Sequence, residues 1–233
     1  MTLHTLGLLG GMTYHSTVDY YLGINDAIAA RRGGHNSAPL LVDSLNFAAV
    51  REYQTADDWE GAGRLLADHA LALQAAGAEA IVICTNLMHK VAPAVAARLD
   101  VPLLHITDAI AFEAEARGLR SLGSLGTKWV MQEGFYTDAL IRSGIQPVFA
   151  GDDDIATTDR IVFEELTKGI IADASRDELV GVVDRLAKAG ADGVILGCTE
   201  IPLLMHQHDT VVPLVDSTQA HVALAVKFVM GEI

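Results

Sequence analysis

The chain contains two cysteines, Cys84 and Cys198, and both stand in the same local setting. "EAIVICTN" is an apolar, β-branched run that ends at Cys84, and "GVILGCTE" repeats the pattern at Cys198. Each thiol is followed by threonine and a second polar residue, Thr85-Asn86 and Thr199-Glu200. A free thiol titrates near pH ~8.5, and a helix N-terminus beside it lowers that value, so thiolate is accessible near neutrality. Two such groups on opposite sides of one carbon can remove a proton from one face and return one to the other. That exchange inverts a stereocentre. The polar residues after each cysteine offer N–H groups and hydroxyls to an anionic carboxylate.

The elements that must carry these thiols are legible as β–α alternation. "HTLGLLGG" reads as a first strand, and Gly10-Gly11 as a tight turn that also lets backbone approach a carboxylate. "HSTVDYYLGINDAIAARRG" has helical spacing, with Ser16 or Thr17 as its cap. "APLLVDSLNF" is a second strand, and "DWEGAGRLLADHALALQAAG" a helix closing near Gly77. The Cys84 strand follows, then "VPLLHITDA". Short connectors between alternating elements predict parallel sheets covered by helices.

The pattern then recurs. "LGLLGGMT" (6–13) is matched by "LGSLGTKW" (122–129), "AGAEAIVICTN" (76–86) by "AGADGVILGCTE" (189–200), and "VPLLHITDA" (101–109) by "VPLVDSTQA" (212–220). Three landmarks in one order at a nearly constant offset indicate two similar halves. The expected fold is therefore two pseudo-symmetric α/β lobes with parallel sheets and an active site in the cleft between them. Residues 1–112 form the first lobe, with the helix 217–233 packing back on it, and residues 113–216 form the second. Loops at the carboxyl ends of parallel strands line the ligand crevice, which places both cysteines there.

Composition narrows the function classes. A formal charge of −14 and no basic cluster argue against a nucleic-acid binder. No run approaches a membrane span, and the N-terminus lacks the basic region of a signal peptide. Two cysteines without a dense framework point to a reducing compartment, hence the cytoplasm. No G-x-G-x-x-G or P-loop lysine pattern occurs, and no cofactor is expected.

Other reactive residues read more plainly. A metal site from Cys84, His89 and Cys198 lacks the close ligand pairing of structural zinc, so no metal is expected. His89 is read as structural, and His206 and His208 as solvated. Glu200 either orients polar groups or caps the following helix. Arg51 is read as an exposed salt-bridge residue, and "GDDDIATTD" (151–159) as a surface connection.

"GLLGGM", "CTNLMHK" and "GCTEIPLL" together resemble the aspartate/glutamate racemase family, and the resemblance extends through "FYTDAL" and "FEELTKG". It implies a two-lobed amino-acid racemase that needs neither pyridoxal phosphate nor metal and interconverts L- and D-amino acids. It makes Cys84 and Cys198 the acid/base pair. It also implies substrate contacts at Met12, Gln54, Thr85, Asn86, Thr127, Lys168 and Thr199. Thr13-Tyr14-His15 and Leu87 depart from the broad-specificity branch, and Arg51 lies near an arginine of aspartate-specific members. These positions bear on substrate choice. The alternatives are a hydantoin racemase, a maleate isomerase, an arylmalonate decarboxylase, or a non-catalytic amino-acid-binding or redox-sensing protein. A homodimer is expected as the commonest assembly.

Overall fold

A computed structural model describes residues 2–233. It falls into two compact units, one formed by the chain through His105 together with His221–Ile233, the other by Ile106–Ala220.

The first unit contains, in order, β1 (Leu6–Gly10), α1 (Tyr14–Arg32), β2 (Leu40–Ser44), α2 (Phe47–Thr55), α3 (Trp59–Ala75), β3 (Ala80–Ile83), α4 (Ala92–Ala96) and β4 (Leu103–Leu104). The strands form one parallel sheet in the order β2-β1-β3-β4. Every residue of β1 and β3 is buried, as strands covered by helices on both faces require. The alternation of the strand sorts the side chains. Leu9, Ile81 and Ile83 pack with Leu66 and Ala70 of α3, whereas Leu8, Val82 and Cys84 pack with Tyr20, Ile24 and Ile28 of α1. Each fully buried Leu or Ile contributes about 1.5–3 kcal/mol.

The start of α1 differs from the sequence expectation. Thr13 is its N-cap, and Ser16 and Thr17 lie inside the first turn, with hydroxyls 2.9 and 3.1 Å from the Thr13 carbonyl. The glycine pair is the reason. A Cβ on Gly10 would strike the Thr17 side chain, and one on Gly11, at φ +84°, would strike the Leu45 backbone. The helix can therefore press against the strand end, where Gly11 N–H donates to Thr17 Oγ1 at 2.8 Å.

The second unit contains α5 (Ile106–Ala116), β5 (Ser121–Leu125), α6 (Lys128–Gln132), α7 (Gly134–Arg142), β6 (Gln146–Pro147), α8 (Asp152–Arg160), α9 (Asp173–Lys188), β7 (Gly193–Leu196) and β8 (Leu214–Asp216). Its parallel sheet runs β6-β5-β7-β8, the same order as the first. The acidic stretch 151–159, expected as a connection, is the helix α8. Gly151 is its N-cap and Asp152, Asp153 and Asp154 form its first turn, where carboxylates complement the positive end of the helix. The chain then passes through a π-turn (Ile161–Glu165) and a 3-10 turn (Leu166–Lys168), ending on left-handed Gly169.

The helix α10 is Ser217–Val229, and its Val222, Ala225, Val226 and Val229 pack in the first unit's core beside Leu6, Leu8 and Ile24. No helix among the described residues is long and apolar enough to cross a membrane.

Candidate active site

In the first unit Cys84 directly follows β3, and its N–H donates to the Leu9 carbonyl of β1 at 2.9 Å. Its thiol is fully buried on the α1 side of the sheet, and burial pushes it well above the usual thiol range. The Cys84 carbonyl accepts from Ser16 Oγ at 2.8 Å, so the first turn of α1 holds the peptide that carries the thiol. Asn86 is buried and Thr85 half-buried in the turn that follows. His89, in the 3-10 turn Leu87–Val91, donates from Nδ1 to the Thr85 carbonyl at 2.8 Å.

Two further expected contacts flank that turn. Met12 is buried just beyond the end of β1, and the Met12–Thr13 peptide is cis. Gln54, near the end of α2, is buried, and its Nε2 contacts Met88 Sδ at 3.1 Å. Its Oε1 accepts from Arg51 at 2.9 Å. Arg51, read as exposed, is half-buried, with its guanidinium donating to this amide.

In the second unit Cys198 lies two residues past β7 and is buried among Leu125, Leu166, Val194 and Ile201. Its thiol donates to Glu200 Oε2 at 3.0 Å, and Thr199 Oγ1 donates to the same oxygen at 2.8 Å. Burial, then the Glu200 charge, pushes the Cys198 thiol well above its ordinary range. Of the two readings of Glu200, the orienting one fits. Glu200 precedes the 3-10 turn Ile201–Leu203, but its side chain makes no capping hydrogen bond there. Sequence reasoning could have singled it out only as a carboxylate adjacent to a thiol, where the other half carries Asn86.

Thr127 follows β5 as the N-cap of α6, and its Oγ1 is buried without a hydrogen-bond partner. A buried hydroxyl left unpaired costs about 1–3 kcal/mol, which a ligand acceptor would offset. Thr218 Oγ1, at the start of α10, is in the same condition and was not foreseen. Lys168 is exposed at the end of its 3-10 turn, two residues beyond Leu166, which packs in the cluster containing Cys198. Thus Met12, Gln54, Thr85 and Asn86 gather around the strand ends of the first unit, and Thr127 and Thr199 follow strand ends of the second. Among the described residues no group of three His, Cys, Asp or Glu is placed to hold a metal ion. His206 and His208 are exposed, as read.

A profile of the Asp/Glu/Hydantoin racemase family matches residues 9–225. The chain belongs to that family. Among solved structures, a Yersinia pestis protein assigned as an Asp/Glu racemase is 41% identical over 98% of this chain and 100% of its own, with a TM-score of 0.93. An aspartate racemase homologue from Pyrococcus horikoshii OT3 is 33% identical over 98% of this chain and 100% of its own, at TM-score 0.84. A glutamate racemase from Francisella tularensis, solved with D-glutamate, shares the fold at 13% identity and TM-score 0.63, covering 100% of this chain and 83% of its own. The two four-stranded parallel sheets with their helices match the two-lobed α/β fold of the Asp/Glu racemases. Family membership and these neighbours support a racemase-type enzyme acting on a small molecule.

Proposed function

We infer that the protein is a cofactor-independent amino-acid racemase in which Cys84 and Cys198 exchange protons with Cα from opposite faces. One observation carries the reading: each thiol follows the third strand, in chain order, of a sheet with the same strand order, and each is succeeded by threonine. One thiolate takes the Cα proton, and the electron pair left on carbon delocalises into the substrate carboxyl group. The opposing thiol gives its proton to the other face, and the two sulfurs exchange roles in the reverse direction. Because burial raises both thiols, the thiolate forms when the substrate's α-ammonium and nearby N–H donors enter beside it. Thr85, Asn86, Thr127 and Thr199 supply donors for the α-carboxylate, with Met12, Gln54 and Lys168 completing the substrate contacts.

The substrate is an acidic or related amino acid, and the enzyme works in the cytoplasm as a homodimer, the latter checked by analytical ultracentrifugation. Incubating L- and D-aspartate, glutamate, homoserine and methionine in D2O, with chiral chromatography, identifies the substrate. Solvent deuterium should enter Cα of both enantiomers. Each single Cys→Ser variant should lose racemisation by at least about 10²-fold. Activity surviving in the Cys84→Ala/Cys198→Ala double variant would overturn the reading. The family's breadth keeps one second reading in play, a hydantoin racemase. Turnover of a 5-substituted hydantoin without turnover of any free amino acid would select it.

A further inference from the structure

The mechanism leaves His89 unused, although it is buried within the turn that follows Cys84. The His89 backbone N–H is committed to the Asn86 carbonyl at 3.1 Å, the short spacing of a 3-10 turn. The Thr85 carbonyl, one residue beyond the thiol, takes its donor from the imidazole Nδ1 at 2.8 Å. Ser16 Oγ meets the preceding carbonyl, that of Cys84, at 2.8 Å. Two consecutive peptides around the thiol are therefore held by two buried side chains.

The His89 ring is itself fixed in orientation. It stands edge-on to His105, with centroids 4.6 Å apart and planes at 69°, and to His221 at 5.6 Å and 61°. His221, on α10, has both nitrogens engaged. Nε2 donates to the Leu104 carbonyl at 2.9 Å, and Nδ1 accepts from the Tyr20 hydroxyl of α1 at 2.8 Å. The carbonyl fixes a proton on Nε2, and burial favours the neutral ring, which accepts at Nδ1. A rigid ring at His221 limits tilt at His89, and a fixed His89 fixes the direction of the Thr85 carbonyl.

We propose that His89 is a positioning residue for Cys84: its Nδ1–H bond to the Thr85 carbonyl sets the Cys84–Thr85–Asn86 turn, and the buried His221–Tyr20 pair holds the ring that makes it. The catalytic part of this inference rests on the reading of Cys84 as an acid/base group, and the structural part stands apart from it. Small displacements of a reacting group cost about 10²-fold in rate, so loss of one peptide anchor should be visible in turnover.

The test compares His89→Asn, His89→Gln and His89→Leu in the full chain. An Asn amide nitrogen falls where Nδ1 lies, whereas a Gln amide reaches toward Nε2, and Leu fills space without a donor. Two readouts are taken: kcat and KM on the best substrate, and amide hydrogen exchange over residues 84–91 against 198–205. The expected result is a fall in kcat of about 10- to 100-fold for Leu and Gln with little change in KM. Exchange should rise in 84–91 alone, and Asn should restore both quantities to within a few-fold of the parent. Asn behaving like Gln overturns the proposal, as does equal loosening of 198–205. If Leu does not fold, the Asn–Gln contrast decides. If the parent racemises nothing, the racemase reading fails, and exchange over 84–91 still reports whether His89 holds the turn.

Discussion

A thiol proton needs somewhere to go before sulfur can act as a base, and Cys198 has a carboxylate oxygen 3.0 Å away on Glu200. Two consequences of that contact pull in opposite directions. The negative charge of Glu200 raises the Cys198 thiol, while its oxygen is placed to receive the proton as thiolate forms. Glu200→Gln separates them. It should lower the Cys198 thiol pKa, seen as alkylation of that residue beginning at lower pH in peptide mass mapping. It should at the same time slow racemisation by about 10²-fold or more, because Gln does not take a proton. A variant with lowered pKa and undiminished kcat would show that Glu200 acts on charge alone. Cys84 has no such carboxylate in its turn, where Asn86 stands at the equivalent place. The two thiols thus follow matched strand ends, Cys198 one residue later than Cys84 because Gly197 intervenes, and they have unlike polar neighbours. The sequence made the matched strand ends plain, since each is an apolar run that closes on or beside a cysteine. It left Glu200 undecided between orienting and capping, because the choice depends on a side-chain direction that spacing does not encode.

Four segments distant in sequence, α1, the turn after β3, the segment after β4 and α10, bring Tyr20, His89, His105 and His221 together in the first unit. Burial lowers His221 from 6.5 to about 4 and holds His89 well below its ordinary value, with neighbouring imidazoles pressing the same way. The folded form therefore keeps these rings neutral while the unfolded chain takes up protons below pH 6.5. The contribution is full above pH 6.5 and is lost as pH falls from 6.5 to about 4. For His221 alone it amounts to about 3 kcal/mol. Urea midpoints at pH 7 and pH 4.5 should show this loss, and His221→Gln, which retains a donor toward Leu104, should flatten it. Such a cluster was not legible beforehand, because histidines at 89, 105 and 221 share no periodicity. Strands and long helices were legible, since β1, β3 and β7 are short apolar runs closed by glycine or cysteine. The start of α1 was misplaced because the sterics of Gly10-Gly11 draw Ser16 and Thr17 into the first turn. The helix α8 was missed because a glycine followed by three aspartates suits both a loop and a helix N-terminus.

At the scale of the molecule, the shared strand order of the two sheets is the feature that internal repetition had announced. Repetition specifies which elements recur but leaves open which unit completes its core with which segment. The first unit's core includes Val222, Ala225, Val226 and Val229 of α10, made only after the whole of the second unit. The second unit is continuous from Ile106 to Ala220. On the ribosome the order of maturation should therefore be the reverse of the order of synthesis. The unit begun second can close first, while Leu6, Leu8 and Tyr20 wait with an open apolar face until α10 emerges. Nascent chains stalled just after Ala220 clears the tunnel should resist brief proteolysis across 106–220 and remain cleavable across 2–105. A chaperone that shields apolar surface would then be engaged chiefly by the earliest-made sheet, for the interval that the inserted unit takes to be translated.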